Sequence, residues 1–387
     1  MRPLRVAMVT RRFWPLVGGA EKVLANLASE LRGRGLEPTI LTARWQPQWP
    51  AEVLYQNVPV VRLAPPPQDR WTTFQFMRAL SGWLRRHPAR FDLVYVSQLR
   101  HEAYAALRAV SREVPVVLRA EHVGRWGDCL WQLDADCGRR IKQQCMGAAT
   151  LLAPTLAAQR ELEAAGYPRP RILHLPNGVP LPPPRTPPLQ AAARAVLAET
   201  HASLQLAPRA FLAVCMGRLH AEAGLEHLLA AWRPLARNVP QARLWLAGPA
   251  PDRGAIQQQI GRLQLEGSVV LTGVFDQVDE LLAAADLLVA PAPEGAHMAL
   301  LEAMAAGLPI VAIDTAVNRT LLEGDREGLL VAARDTAALL TAVARLYKDP
   351  ELAVRLGNAA RARAVADYSL ERMADAHEAL FARLVTL

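Results

Sequence analysis

Short apolar runs alternate with helix-like stretches along this chain, and that alternation restricts its fold more than any other feature. Residues 5–10 form an apolar run suited to a buried parallel strand. Residues 20–35 then carry apolar side chains at helical spacing and end in a glycine-containing turn. The repeated unit predicts an α/β fold with parallel sheets covered on both faces. Further strands are predicted at residues 38–43, 58–63, 93–96, 114–118, 150–153, 211–216, 242–248, 269–273, 287–291 and 309–314.

A proline-rich segment at residues 177–190 divides the chain. It holds six prolines and little that can pack, so we predict a stiff linker there. The chain has 387 residues, about half of them apolar, and is long enough to bury two cores. The pattern predicts two doubly wound domains, residues 1–182 and 183–366. Ligands are expected to bind in a cleft where the strand ends of the two domains face each other.

The cysteine pattern and the apolar segments indicate a cytoplasmic protein. No segment approaches the roughly eighteen unbroken apolar residues of a membrane-spanning helix. The first residues become charged again at Arg11, before the apolar core of a secretion signal forms. The cysteines form neither a dense disulfide framework nor the close pairs of a zinc site. No metal is therefore expected at Cys129, Cys137, Cys145 and Cys215.

The positive charge is concentrated in the first half of the chain. The formal net charge is +8, whereas residues 1–180 hold 25 Lys and Arg against 14 Asp and Glu, a net +11. This half either contacts an anionic membrane or a phosphate-bearing ligand, or simply has solvated basic faces. Residues 72–92 mix apolar side chains with arginines, which fits a helix on an anionic membrane or an ordinary helix covering the sheet. No nucleic-acid reader motif occurs, so no nucleic-acid partner is expected.

Two glutamates lie in the apolar segment 291–312, which reads PAPEGAHMALLEAMAAGLPIVA. Glu294 and Gly295 follow a predicted strand, in the turn before a helix predicted at residues 297–306. Glu302 lies within that helix among apolar residues. Burying an isolated carboxylate costs on the order of several kcal/mol, so Glu302 needs a partner or a polar ligand such as a sugar hydroxyl. The alternative is a dipole-favoured carboxylate at the helix start and a structural ion pair.

Two further segments have the chemistry of phosphate contacts. Arg218 follows the predicted strand 211–216, and its fork of donors suits a diphosphate. Gly18 and Gly19 permit close backbone approach just before a helix, whose free amides point the same way. Neither the GxGxxG fingerprint nor a Walker loop is present. A surface arginine and a tight turn are the alternative interpretations.

These segments occur in the order GGAE, LPNGV, GRL and EGAHMALLEAMAAGLPIVA, and the chain resembles the retaining glycosyltransferases of family 4 over essentially its whole length. The paired-glutamate segment is the most specific part of the match. The resemblance implies a GT-B fold of two Rossmann-like domains. Residues 1–182 would be the acceptor domain, with a final helix at 367–387 crossing back to it. Residues 183–366 would bind the nucleotide-sugar donor.

The resemblance also implies roles for individual residues. Glu294 would lie beside the transferred sugar, and Glu302 would bind the ribose of the nucleotide. Arg218 would hold the diphosphate. His122, after a central strand of the first domain, would lie near the reacting sugar, although a loop histidine bonded to its neighbours explains it equally well. The implied catalytic set is Glu294, His122 and Arg218, and the implied donor-binding set is Gly18, Gly19, Arg218, Glu294, Gly295 and Glu302.

The expected reaction moves a sugar from a nucleotide diphosphate donor to a glycan, lipid or small-molecule acceptor. Fixed cations and amide dipoles stabilise the leaving diphosphate, so no metal or other cofactor is expected. Two departures from the family pattern favour a rival, a GT-B binding or regulatory protein with weakened turnover. Ala223 stands where relatives have a lysine, and residues 316–320 replace a glycine pair and glutamate. Arg11 or Arg12 would compensate for the lysine, unless their loop is merely solvated. A nucleotide-sugar 2-epimerase is the other alternative.

Overall fold

The protein consists of two compact units, each an α/β layer structure. The computed structural model describes residues 2–16, 18–220, 223–275, 277–292 and 297–386. The N-terminal unit comprises Met1–Gly178 and Leu370–Leu387, and the C-terminal unit comprises Val179–Ser369. Both units contain a mainly parallel sheet, so the α/β prediction is confirmed.

The N-terminal unit is built on an eight-stranded sheet. Its strands are β1 (Arg5–Val9), β2 (Glu37–Thr42), β3 (Glu52–Tyr55), β4 (Val58–Arg62), β5 (Leu93–Ser97), β6 (Val116–Arg119), β7 (Thr150–Ala153) and β8 (Ile172–His174). The spatial order is β3-β4-β2-β1-β5-β6-β7-β8, and β3 alone pairs antiparallel, with β4. The helices are α1 (Gly19–Gly33), α2 (Arg70–Arg86), α3 (His101–Ala109), α4 (Asp128–Asp134), α5 (Gly138–Cys145), α6 (Leu156–Ala164) and the C-terminal α15 (Leu370–Thr386).

The C-terminal unit is built on a six-stranded parallel sheet. Its strands are β9 (Phe211–Met216), β10 (Ala242–Ala247), β11 (Val269–Gly273), β12 (Leu287–Ala290), β13 (Ile310–Ile313) and β14 (Leu329–Val331), in the order β11-β10-β9-β12-β13-β14. The helices are α7 (Pro187–Thr200), α8 (Leu225–Asn238), α9 (Arg253–Arg262), α10 (Asp279–Ala284), α11 (His297–Ala306), α12 (Ala316–Leu321), α13 (Thr336–Lys348) and α14 (Pro350–Asp367).

Both faces of the C-terminal sheet are buried, as its apolar strands predict. Leu244 and Trp245 are consecutive on β10 and neither is exposed to solvent. Successive side chains of a strand point to opposite faces, so helices must cover the sheet on both sides. Leu244 packs in one apolar cluster and Trp245 in the other. This arrangement leaves the loops at the strand ends as the places where polar residues meet.

The structure corrects the predicted linker and adds one hairpin. Residues 177–190 are not a linker throughout, because α7 begins at Pro187. The Thr186 hydroxyl accepts a hydrogen bond from the backbone amide of Leu189. Proline at the first helical position costs no backbone hydrogen bond, because an amide there has no partner within the helix. The unpredicted strand β3 pairs with β4 through a turn at Gln56 and Asn57, both of which have positive φ.

Helix α2 covers the N-terminal sheet with one of its faces. Phe76, Leu80, Trp83 and Leu84 are buried on that face, which supports the sheet-covering interpretation of residues 72–92. The C-terminal helix α15 packs against α1 within the same unit. Across the described part of the chain, every helix is too short or too polar to cross a bilayer.

Candidate active site

The first turn of α1 carries an unexpected carboxylate. Gly18 precedes the helix with extended backbone, so left-handed geometry is not the reason for the glycine. A Cβ at this position would overlap Oε2 of Glu21, which lies in the first turn of α1. Oε1 of Glu21 lies 3.4 Å from Nε of Arg12. The start of α1 was predicted to approach phosphates through Gly18 and Gly19. Its free backbone amides already face the carboxylate of Glu21.

Burial raises the pKa of Glu21. The negative charge of Glu121 also raises this pKa. Hydrogen bonding of Glu21 to its own backbone and the charges of Arg12 and His122 partly oppose the rise. His122 is exposed and lies in the loop after β6. The charges of the loop carrying His122 thus act on the carboxylate at the start of α1. β1 and β6 both pair parallel with β5, so the segments that follow them, which carry Gly18, Gly19 and His122, leave the same edge of the sheet.

We expect Glu21→Gln to raise the melting temperature at pH 8 by a few degrees at most. A raised folded-state pKa means that folding penalises the ionised carboxylate. The penalty is absent below the ordinary pKa of glutamate and complete once the pH exceeds the folded-state pKa. The neutral amide should therefore stabilise the protein at pH 8 and have no effect at pH 4. Thermal melts at both pH values measure this, and equal destabilisation at both would contradict it.

Arg11 and Arg12 have different surroundings, which bears on the compensation predicted for them. Nε of Arg11 donates to Oε1 of Glu102 at 2.7 Å. Glu102 is fully buried, and burial pushes its pKa up, but the charge and hydrogen bond of Arg11 outweigh that effect and the pKa lies below its usual value. Arg12 is 42% exposed at its side chain and lies over the ring of Trp45. Arg11 is therefore committed to a structural ion pair, and Arg12 is the more accessible cation.

A buried guanidinium joins the loop after β6 to the LPNGV segment. Arg119 ends β6, is 4% exposed, and donates to the Glu121 carboxylate and, at 2.5 Å, to Oδ1 of Asn177. Burial lowers the pKa of Arg119, but the attraction of Glu121 outweighs it and the pKa lies above its usual value. The backbone amide of Glu121 in turn donates to Asp128, which is paired with Arg100 at 2.8 Å. This buried network fixes the residue immediately before His122.

In the C-terminal unit, Arg218 follows β9 as predicted. Gly217, with φ +132°, turns the chain, and its amide donates to the Ala247 carbonyl at 3.0 Å. Leu219 is buried and its amide donates to the Pro249 carbonyl at 2.8 Å, which anchors the loop. Arg218 is exposed, and among the described residues no carboxylate is paired with it. The described residues thus leave its guanidinium exposed to solvent.

The same loop contacts the chain after β12. Gly224 has φ +73°, a conformation that favours glycine, and a Cβ there would overlap the Pro291 carbonyl. Ala223, where the resemblance implies a lysine, is only 7% exposed and belongs to the apolar core of this unit. The structure thus joins the loop carrying Arg218 to the start of the loop that leads to Glu294. Glu294 and Gly295 themselves lie outside the described residues.

Glu302 lies on α11, the helix predicted for it. It is half-buried, and its neighbours Leu301 and Ala303 are not exposed at all. Its helix connects β12 to β13, so its amino end follows the carboxyl end of β12. The structure therefore places Glu302 within the helix that follows β12 in the C-terminal unit.

The segment that departs from the family pattern forms the start of α12. The Thr315 hydroxyl caps the helix, because it accepts a hydrogen bond from the backbone amide of Asn318 at 3.0 Å. Asn318 is fully buried and its Nδ2 donates to the Ile313 carbonyl at 2.7 Å. A polar helix cap therefore begins this segment. Glu21, Arg119 and Asn318 are polar residues that the sequence analysis did not single out. The GGAE motif contains Glu21, and Arg119 lies three residues before His122.

Both units match family models. Residues 17–181 match the model for Glycosyltransferase Family 4, and residues 210–349 match the model for Glycosyl transferases group 1. The chain belongs to glycosyltransferase family 4. This family 4 chain is also similar in structure to sucrose-phosphate synthase from Thermosynechococcus elongatus, with 21% identity, 99% of both chains covered and a TM-score of 0.79. Anabaena Alr3699/HepE, solved in complex with UDP and glucose, gives 21% identity, 98% and 99% coverage and a TM-score of 0.77. The fold is GT-B.

Curated relatives are glycosyltransferases too. Alpha-D-kanosaminyltransferase of Streptomyces kanamyceticus is 29% identical over 163 residues, which cover 41% of this family 4 chain and 42% of that enzyme. The matches to this relative and to the putative glycosyltransferase EpsD of Bacillus subtilis thus span less than half of their length. The lipopolysaccharide core biosynthesis glycosyltransferase LpsD of Rhizobium meliloti is 27% identical over 378 residues, 95% of both chains.

Proposed function

We propose that the protein transfers a sugar from a nucleotide diphosphate donor to a glycan, lipid or small-molecule acceptor, with retention of configuration. The observation that carries this proposal is the match of both units to family 4 models. The exposed Arg218 supports it, because no carboxylate of the described residues is paired with its guanidinium. Anabaena Alr3699/HepE, solved with UDP and glucose, supports a nucleotide diphosphate as the donor's leaving group.

The proposed roles follow from how charge develops during transfer. When the bond from sugar to diphosphate breaks, negative charge grows on the phosphates, and Arg218 stabilises it. Glu302 binds hydroxyls of the nucleotide ribose, and Glu294 binds those of the transferred sugar. Retention requires the acceptor hydroxyl to enter from the face that the diphosphate leaves. His122 lies near the reacting sugar, so the N-terminal unit supplies the acceptor side. We place the reaction in the cytoplasm and assign it no metal.

A ligand screen tests the donor directly. Purified protein is melted with UDP, GDP, ADP and their sugars. A true donor stabilises the folded state by mass action, by about 2.7 kcal/mol at a hundredfold excess over its Kd. We expect one nucleotide family to raise the melting temperature and the others to leave it unchanged. No shift with any of them would contradict the proposal.

The burial of Ala223 favours a second candidate, a GT-B protein with weakened turnover. The family's lysine would add a second cation to the diphosphate, and a charge-assisted hydrogen bond contributes about 1.5–3 kcal/mol. We therefore expect Ala223→Lys to raise kcat at least tenfold if the wild-type protein is weakly active. Steady-state kinetics with the donor from the screen measure this. A matched Ala→Lys change at exposed Ala207 should leave kcat unchanged, and an unchanged kcat in Ala223→Lys would refute the weakened-site account.

A further inference from the structure

The last residue of β4 is a buried arginine whose charge is not compensated by a carboxylate of the described residues. Arg62 is only 3% exposed. Its Nη1 donates to the Pro50 carbonyl and its Nη2 to the Trp14 carbonyl, both at 3.0 Å, while its Nε is buried and makes no hydrogen bond. No described carboxylate is paired with it. Carbonyl oxygens carry only partial charge, and buried charges in proteins are normally paired. This guanidinium therefore lacks a counterion.

A second arginine, Arg44, adds to this positive charge. It lies in the loop after β2, is half-buried, and its Nε is also buried without a hydrogen bond. No carboxylate of the described residues is paired with it. Burial lowers the pKa of Arg62, and the positive charge of Arg44 lowers it further. The two guanidinium groups repel each other in a site that is partly shielded from water, so an anion beside them would be attracted by both.

The acidic residues of the adjoining segments do not supply this negative charge. Glu52 on β3 lies opposite Val61 of β4, so its side chain is on the other face of the sheet from that of Arg62. Glu21 is already the partner of Arg12, with 3.4 Å between Oε1 and Nε. These two carboxylates therefore leave the two positive charges described above uncompensated.

Tryptophan rings surround the arginines. The guanidinium of Arg62 lies over the ring of Trp49, 5.2 Å from its centroid, and that of Arg12 lies over Trp45 at 5.4 Å. Trp14 is 37% exposed. Aromatic side chains offer rigid apolar area for the CH face of a sugar ring. We call this group the arginine–tryptophan cluster, and it consists of Arg12, Arg44, Arg62, Trp14, Trp45 and Trp49.

The arginine–tryptophan cluster lies at the ligand-binding edge of the N-terminal sheet. β4, β2 and β1 are parallel neighbours, and the cluster is formed where these three strands end. The loop that carries His122 leaves the same edge of the sheet after β6. Ligands of doubly wound sheets bind outside the carboxyl ends of the strands. The cluster is therefore on the side from which this unit is proposed to supply the acceptor.

The number of uncompensated charges distinguishes between anionic groups. A carboxylate carries one negative charge, whereas a phosphate monoester carries about −1.5 to −2 at pH 7 and has three acceptor oxygens. Two uncompensated arginines thus match a phosphate monoester better than a carboxylate. The planar fork of arginine donors also suits phosphate oxygens.

We propose that the arginine–tryptophan cluster binds the phosphate monoester of a phosphorylated sugar. Arg44 and Arg12 contact the phosphate, the charge of Arg62 attracts it from within the unit, and the sugar ring lies against Trp14. Identifying this sugar phosphate as the acceptor rests on the proposed transferase function, whereas its binding does not. In the transfer, a free hydroxyl of the sugar phosphate forms the bond to the anomeric carbon, the bond to the diphosphate breaks, and the hydroxyl proton passes to the leaving diphosphate.

Isothermal titration calorimetry without a donor tests the binding site. The full-length protein is titrated with inorganic phosphate, with the 6-phosphates of glucose, mannose and galactose, and with the three parent hexoses. We expect at least one hexose 6-phosphate to bind at least tenfold more tightly than both its parent hexose and inorganic phosphate. Arg44→Gln should lower that affinity at least tenfold. Arg112→Gln is the matched control, because Arg112 is an exposed arginine of the same unit, and it should bind as the wild type does.

Two further measurements separate a ligand site from a structural role of these residues. Trp14→Ser should weaken the binding of the sugar phosphate and leave that of inorganic phosphate unchanged. Because the charge of Arg44 opposes that of Arg62, Arg44→Gln should not lower the melting temperature of the free protein. The same variant should abolish the rise in melting temperature that the sugar phosphate causes in the wild type. A lower melting temperature of ligand-free Arg44→Gln would show that Arg44 is structural.

Other outcomes would also overturn the proposal. These are no binding of any phosphate probe, equal affinity for a hexose and its phosphate, equal affinity for inorganic phosphate, or an equal loss in Arg112→Gln. Displacement of the sugar phosphate by UDP, with both ligands weakened by Arg44→Gln, would assign the cluster to the donor instead. The nucleotide screen reports on the transferase function and the calorimetry on the cluster, so the failure of one is distinguishable from the failure of the other.

Discussion

Arg218→Ala is expected to lower kcat/KM for the nucleotide-sugar donor about a hundredfold. The guanidinium is exposed, its loop is anchored by Leu219, and the described residues offer it no carboxylate partner. A charge-assisted hydrogen bond to phosphate contributes about 1.5–3 kcal/mol, and each 1.36 kcal/mol corresponds to about a tenfold change in rate. Because Ala223 supplies no second cation, little remains in this loop to replace the lost charge. Steady-state kinetics with the donor from the nucleotide screen measure the effect.

Two controls define what the Arg218 result means. Arg237→Ala removes an exposed arginine from the far end of α8 and should leave the kinetics unchanged. Arg218→Lys keeps the charge but loses the bidentate fork, so we expect an intermediate rate. Melting temperatures of all three variants without ligand should match that of the wild type, because Arg218 makes no structural ion pair with the described residues. A kcat/KM within twofold of wild type for Arg218→Ala would exclude the assigned role.

Arg119→Met is expected to destabilise the N-terminal unit by about 3–5 kcal/mol, the cost of leaving a buried charge without its partner. The guanidinium is the shared partner of the Glu121 carboxylate and of Oδ1 of Asn177. Methionine fills part of the volume but donates no hydrogen bond. Urea unfolding followed by circular dichroism measures the free energy lost in the transition of this unit.

The charged network also predicts that the stability effects of changes at Arg119 and Glu121 are not additive. Glu121→Gln removes the carboxylate that Arg119 neutralises, so the double variant Arg119→Met/Glu121→Gln should cost less than the sum of the two single changes. Arg112→Met serves as the surface control, because Arg112 is exposed, and should change stability by no more than about 0.5 kcal/mol. Additive single and double effects, or a small loss in Arg119→Met, would show that the buried guanidinium does not bind these segments together.

The strands and the fold class were predictable because they depend on local pattern. β7 (Thr150–Ala153) and β9 (Phe211–Met216) have the bounds that their apolar runs predict. Such strands are recognisable in the sequence, because a parallel strand is buried on both faces and is therefore a nearly continuous apolar run. β3 was not predicted, because its burial pattern alternates on an exposed edge and its turn depends on positive φ at two residues without a glycine. The start of α7 is not predictable from proline content, because prolines that argue against a helix interior fit the first turn of a helix.

The candidate site was only partly predictable, since its electrostatics depend on distant residues. Arg119 and Asn177 are separated by 58 positions, and their bond becomes visible only when the sheet is assembled. Arg218 and Glu302 were found from local context, as a cation after a strand and a carboxylate in an apolar helix. Glu21 was overlooked because the glycines before it drew the interpretation toward phosphates. The roles of Glu294, Gly295 and His122 stay predictions.

The central claim is that this family 4 chain catalyses sugar transfer with retention, and proton NMR of the anomeric signals tests it most directly. The purified protein is incubated with the stabilising donor and a panel of glycan, lipid and small-molecule acceptors. We predict that the anomeric signal of the donor decays while a product signal of the same configuration grows, and that Arg218→Ala slows both. A product of inverted configuration, or an unchanged donor with every acceptor, would contradict the account.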